Sequence, residues 1–503
     1  MRPGSGLLAR NSVIYILIQE AKVSKFKIIL AAIAAVALAT PVFAATFEFH
    51  GDLNNRFGLY TNQAGLYHGV ESVAKKNLNE DDVEEFFADF KYRLNTTAAT
   101  NDGAVKGVFA IEVGGVQFGT SPAGDFSGDG VVVEVRKAYT DFQLPSVQSK
   151  ARVSLGLQAL TVNKFVWWET VPSVQLAGDT GSFAYKLAWA RGVESFNDDS
   201  DDDLFEDLDS LLARVDLKPA EGVKLGLFAL YQRQQNADNE FTVDPAGAAT
   251  QFSEDGDFYE VKQVGPSDFD LYTLGVDGGF ATPTSYGNAF VNWDLIYQGG
   301  SVDKIGVYDL ATDTFSTVDP DVDVSAYLLH ADVGVNIGST RLTYTGWYAS
   351  GDDDPNDDNI DNFMSTDVDR FDSVIFFEGG YTDDDYFTEA PYILNKGLIL
   401  NKLALDQKVS EKTNVGAAVL YLMTAEDLEY TNADDSQSFS EDTLGTEIDA
   451  YVSHKLYDNV EVALNAGYLF ADDGMDFFEN DASRDGSSDA DVFRTTARVR
   501  YKF

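Results

Sequence analysis

Cysteine is absent from all 503 residues, and histidine occurs only at His50, His68, His330 and His454. Without thiols the polypeptide forms no disulfide, no thiolate metal centre and no covalent c-type haem link, so any haem belongs to a partner. Basic residues are scarce as well. Thirty-six Lys and Arg stand against 82 Asp and Glu, a net charge of −46, which excludes a nucleic-acid binder with a basic surface. Long apolar runs are missing except for residues 28–39, too short to cross a bilayer as a helix.

That run follows Lys25 and Lys27 and ends in Pro41-Val-Phe-Ala44, with small residues Val42 and Ala44 where a signal peptidase inspects the chain. Residues 1–44 therefore read as a cleaved signal peptide, and Ala45 as the first mature residue. The segment ahead of Val23 carries Glu20 and an apolar patch of its own before the basic start; it reads as an N-terminal extension, with initiation at Val23. Cleavage removes five basic residues and Glu20, leaving 31 basic and 81 acidic residues and a net charge of −50.

What the sequence does contain is alternation. In the last eleven residues Phe493, Thr495, Ala497, Val499, Tyr501 and Phe503 share one face, and Arg494, Thr496, Arg498, Arg500 and Lys502 the other. Side chains of a strand point alternately to opposite faces, so this is the pattern of a wall with lipid outside and water inside. Similar segments occur at 47–60, 86–98, 105–113, 151–159, 183–189, 213–218, 223–231, 270–280, 289–297, 324–337, 342–348, 398–409, 415–423, 446–456 and 460–470. Residues 131–144 form a strand of ambiguous register, and 172–177 supplies a strand that the alternation of short and long connections requires. The expected fold is all-β: a transmembrane antiparallel β-barrel of 18 strands, with 16 as the second choice, forming one unit over 45–503. Short turns such as Gly338-Ser339 belong to the periplasmic side, and long acidic connections such as 236–267 and 351–395 to the outside.

Tyr501-Lys-Phe503 resembles the terminal aromatic signal of outer-membrane barrels. Leu444-Gly-Thr-Glu-Ile-Asp449, followed by a strand, a short turn and Ala466-Gly-Tyr-Leu-Phe470, resembles the closing hairpin of Gram-negative porins of the alginate-export and OprD-like superfamily. Arg136-Lys-Ala-Tyr-Thr-Asp-Phe142 and Gly156-Leu-Gln158 are similar to porin strands. The resemblance implies an outer-membrane channel for passive diffusion of small hydrophilic solutes and ions, not an enzyme. Its partners would be outer-membrane lipid, lipopolysaccharide and the barrel assembly machinery that reads Tyr501 and Phe503; a homotrimer is compatible. A second reading is the sheath of a porin-cytochrome electron conduit, in which a multihaem partner carries the electrons.

Several residues are candidates for chemistry. Arg93, Arg152, Arg214, Arg341, Arg494, Arg498 and Arg500, with Lys91, Lys106 and Lys224, fall on faces expected to line the pore. Such a stripe either favours small anions or makes cross-strand ion pairs, with Glu48 and Asp52 placed near Arg498 and Arg500. Asp125-Phe-Ser-Gly-Asp-Gly130 begins like a calcium loop, with Asp125 and Asp129 as ligands, but its twelfth position is Arg136 instead of a bidentate Glu. No cofactor is called for; Ca²⁺ on the acidic clusters at 198–203, 352–358, 383–385 and 472–473 is the one inorganic ligand admitted, against a plain solvated loop. Phe165-Val-Trp-Trp-Glu-Thr-Val171 reads as interfacial girdle in preference to a constriction. His330 and Asp332 share a strand face and could serve as base and orienter in an outer-membrane hydrolase, or as ordinary lumen polarity.

Overall fold

The computed structural model describes residues 45–61, 84–119, 131, 133–147, 150–193, 208–235, 251–252, 258–259, 262–309, 314–318, 322–354, 357–366, 368, 372–376, 395–432, 436–478, 484–488 and 491–503. The signal-peptide segment and both calcium-loop aspartates, Asp125 and Asp129, lie outside them, as do the clusters at 198–203 and 383–385.

Eighteen antiparallel strands form the wall. In chain order they are Ala45–Thr61, Glu84–Thr100, Val105–Gln117, Val133–Gln143, Arg152–Asn163, Trp167–Asp179, Phe183–Val193, Leu208–Ala220, Val223–Gln234, Lys262–Pro283, Asn288–Asp309, Val322–Ile337, Thr340–Ala349, Leu398–Lys408, Thr413–Thr431, Ser438–Tyr457, Val460–Ala471 and Val492–Lys502. Each pairs with its neighbours, and the last pairs with the first from Asp52↔Lys502 to Thr61↔Phe493, so the sheet has no open edge. Closure is completed by Phe503, whose N–H donates to the Gly51 carbonyl at 3.1 Å while Gly51 N–H donates back at 3.0 Å.

Every strand anticipated from alternation is present. The ambiguous segment resolves into Val133–Gln143, and the ambiguity has a cause: a bulge sets Ala110 and Ile111 opposite Lys137 and Val135, leaving Arg136 as the extra residue. Short turns close one end. Gly338, at φ 60°, takes the left-handed conformation that a two-residue Gly338-Ser339 turn requires.

The two faces differ as a membrane wall demands. Leu187, Leu274, Leu295, Val333, Leu403 and Val419 project outward and are each at least 45% exposed, a belt that in water would drive aggregation. Tyrosines rim it, with Tyr327 and Tyr348 stacked at 5.5 Å. One step above Trp189, Leu211, Tyr231 and Tyr272, the outward residues Arg191, Asp209, Arg233 and Asp270 stand in cross-strand register with alternating sign, which marks where apolar belt gives way to water. Inward faces carry the opposite character.

Candidate functional site

The interior is lined by charges that pair across strands. Arg56 binds Asp89 at 2.8 Å through Nε. Arg93 binds Glu112, which Lys91 approaches at 3.8 Å and Arg136 at 3.9 Å. Arg152 donates to Asp141 at 2.7 Å, Arg498 to Glu461 at 2.7 Å, and Arg500 to Asp52 at 2.7 Å. Arg214 forks over two carboxylates, Asp277 at 2.6 Å and 2.8 Å and Asp216 at 2.6 Å. Arg341 donates to Thr343 at 3.1 Å and lies 4.4 Å from the Phe290 ring centroid. Arg494 is buried among the same wall strands. Both Arg498 and Arg500 make cross-strand ion pairs; of the two acids expected near them, Asp52 pairs with Arg500, while Arg498 takes Glu461 and Glu48 lies 3.9 Å from His50.

A short hairpin tip enters this lumen. Arg152–Asn163 and Trp167–Asp179 are joined by Lys164, Phe165 and Val166, with a bulge between Thr161 and Asn163 that bends the tip inward. Asn163 builds the turn: its side-chain oxygen accepts the Phe165 N–H at 2.9 Å, and its carbonyl accepts Val166 N–H at 3.1 Å. Its amide then donates to Asp294 at 2.7 Å on the facing wall. Phe165 is fully buried against His330 and Trp347, at 5.2 Å and 5.7 Å between rings. The aromatic segment is therefore not simply girdle. Phe165, Val166 and Trp167 pack inside, and only Trp168, half exposed, faces out.

His330 sits at the foot of this tip, Nδ1 2.7 Å from Asp294 and Nε2 3.2 Å from Asp332, with Lys164 Nζ 3.3 Å from Nε2. The pairing with Asp332 follows from the shared strand face; Asp294 and Lys164 come from elements that no local pattern connects to it. The set is an ion cluster that pins the hairpin.

The long connection after Thr340–Ala349 also turns inward, where the sequence suggests an outward loop. Ser350 starts the turn, accepting Phe363 N–H at 2.9 Å and donating its hydroxyl to the Asp361 carbonyl at 2.6 Å. Gln298 holds Met364 by both backbone groups, at 2.7 Å and 2.8 Å. Ser365 donates to the Phe165 carbonyl at 2.7 Å and Thr366 N–H to that of Val166 at 2.7 Å, stitching loop to hairpin tip. Further on, Ser373, Val374 and Ile375 reach the wall at Glu447. The signal for this was present in the sequence: Val374-Ile-Phe376 is an apolar run inside an acidic connection, and all three residues are buried.

Open space remains beside the inward segments. One space of about 600 Å³ lies against Asn163, Lys164, Lys186, Arg214, Asp277 and Asp294, and another of about 560 Å³ against Arg341, Thr343, Lys402 and Asp406; Asp332 borders both. Among the described residues, no three His, Asp or Glu side chains converge as a metal site requires.

A closed barrel, apolar outside and ion-paired inside with an incompletely filled lumen, defines a transmembrane β-barrel. No protein-family model matches the chain, and no curated protein does. Among solved structures it is similar to the outer membrane protein OpdK from Pseudomonas aeruginosa, at 10% identity and a TM-score of 0.48, with 91% of this chain and 99% of that chain covered. OccK5 (OpdH) from the same organism gives 9% identity, a TM-score of 0.45, and 91% and 98% coverage. OccK2 (OpdF) gives 11%, 0.48, and 91% and 98%.

Proposed function

We propose that the chain is an outer-membrane porin, a water-filled channel through which small hydrophilic solutes and ions diffuse passively. The observation that carries this reading is the interior: charged side chains of both signs, many of them paired, border open space within a closed wall. Water and ions are stable in such a lumen, while the apolar exterior insulates it. No energy input and no catalytic step belong to this reading, in which His330, engaged by Asp294, Asp332 and Lys164, serves as part of a wall-to-hairpin tie. Tyr501 and Phe503 serve the assembly machinery in it, lipopolysaccharide surrounds the outer rim, Ca²⁺ is confined to the acidic outer loops, and a homotrimer is the working assembly.

The electron-conduit sheath has less support. A barrel that holds a folded cytochrome needs an emptied lumen, and here residues 363–366 and 373–376 occupy it. Purified protein, without partners, is expected to give discrete single-channel current steps in a planar bilayer. Current that appears only when a haem protein is added would sink the porin reading.

A further inference from the structure

Two described stretches of the inward loop are anchored by different chemistry. Residues 363–366 are held by the neutral groups of Gln298, Gln232 and the hairpin-tip carbonyls. Residues 373–375 are held by carboxylates. Glu447, fully buried, accepts Val374 N–H at 2.9 Å and Ile375 N–H at 3.0 Å on Oε1, and the Ser373 hydroxyl at 2.6 Å on Oε2. Asp449, two residues along the same face of Ser438–Tyr457, also accepts Val374 N–H, at 3.3 Å.

Val374 fits because residue 467 is glycine. A Cβ there would stand 2.9 Å from Val374 Cβ and 2.8 Å from Asp449 Oδ1, so any larger residue displaces the turn or its acceptor. Below, Val374 and Asp449 border a space of about 110 Å³ shared with Lys402, Asp406 and Tyr451.

We propose that Glu447, with Asp449, is the positioning pair of the constriction: the negative charge the pair carries docks residues 373–376 into the Gly467 hollow, and proton uptake that neutralises the pair releases the turn and widens the conducting path. This rests on the porin reading of the lumen. The physical basis is that a hydrogen bond to a charged acceptor is roughly twice as strong as a neutral one, so a carboxylate gathering three donors loses much of its hold when neutralised. The foremost charged neighbour of Asp449 is Glu447 itself, and the others are few. Lys402, on Leu398–Lys408, donates to the Asp372 carbonyl at 2.5 Å and sits near Asp449. The flanking strands present Ala418 and Leu420 on one side and Gly467 and Leu469 on the other, none of them ionisable.

Single-channel recording of the full-length protein across acid to neutral pH tests this. Wild type is expected to favour the wider state as pH falls. Glu447→Gln is expected to shift the wide-to-narrow dwell-time ratio by about tenfold at neutral pH, equivalent to ~1.4 kcal/mol, and to flatten its pH profile. Gly467→Val, a steric wedge that removes neither carboxyl group, is expected to abolish the narrow state at every pH. Ser373→Ala, a loop change that leaves the wall intact, is expected to shift the ratio in the same direction by a smaller factor, which keeps the test open if a wall variant fails to assemble. Wild-type ratios and pH profile in the assembled variants would overturn the proposal, whereas a wild type that does not conduct at all overturns the porin reading instead.

Discussion

Arg214 shows how far a single residue is legible. Its place on a lumen-facing position follows from alternation along Leu208–Ala220, but its main partner, Asp277, is 63 residues away and two strands over. Only the register of the closed sheet brings them together. Arg214 also donates to the Val162 carbonyl at 3.0 Å, tying the wall to the hairpin that bends inward. Removing it leaves Asp216 and Asp277 facing the larger space without their shared cation. Arg214→Ala is expected to move the reversal potential in asymmetric KCl toward cations and to lower unfolding stability by about 1–3 kcal/mol, the cost of orphaning partly solvated acceptors. An unchanged reversal potential would take Arg214 off the conduction path.

The same separation between parity and partnership recurs at the scale of elements. All wall strands were readable because a strand with lipid on one side and water on the other must alternate. Their ends were not. Residues 446–456 grow to Ser438–Tyr457 and 289–297 to Asn288–Asp309, since beyond the bilayer both faces meet water and the alternation fades. Loops were the least legible, because inward and outward folding differ only in a few apolar residues. The connection after Val460–Ala471 illustrates it: an acidic sequence forms a short 3₁₀ turn, Asp473–Phe478, whose Met475, Phe477 and Phe478 are buried and whose Asp476 accepts Tyr430 OH at 2.9 Å and Gly486 N–H at 2.6 Å. Burial pushes the Asp476 carboxyl above its ordinary value of 3.8, outweighing the Gly486 and Tyr430 hydrogen bonds that pull it down. A carboxyl raised on folding binds its proton more tightly in the folded cap, so this contribution is complete below the ordinary value and fades as pH rises through the raised one. Hydrogen exchange of residues 473–478 is therefore expected to slow relative to its intrinsic rate as pH falls through that window. Asp476→Asn should remove the dependence; if the variant keeps it, another group sets the pH response.

For the whole molecule, the net charge of −50 expected after cleavage at Ala44 has to be located before it can be interpreted. The larger lumen space is bordered by five cationic and five anionic side chains, with Lys164 paired to Asp294 and Arg214 to Asp216 and Asp277, so this stretch of wall is balanced in sign. Among the described residues, acid also gathers in the connection after Thr340–Ala349. Asp352, Asp353, Asp354, Asp357, Asp358 and Asp361 precede the inward turn, with Glu426 close by and Lys396 as the nearby cation. Burial and the neighbouring carboxylates Asp357 and Asp353 push Asp361 upward, the direction expected where like charges crowd. A balanced lumen behind an acidic rim attracts cations through a field that acts across open solvent, and such a field is screened: the Debye length falls from about 10 Å at 0.1 M salt to about 3 Å at 1 M. Reversal potentials in asymmetric KCl are thus expected to show cation preference at low ionic strength that declines toward neutrality near molar salt. Neutralising the rim at Asp352, Asp353 and Asp354 should weaken the low-salt preference while leaving the high-salt value in place. Anion preference, or a cation preference that salt does not diminish, would mean that selection is made by the paired charges of the lumen and not by the mouth.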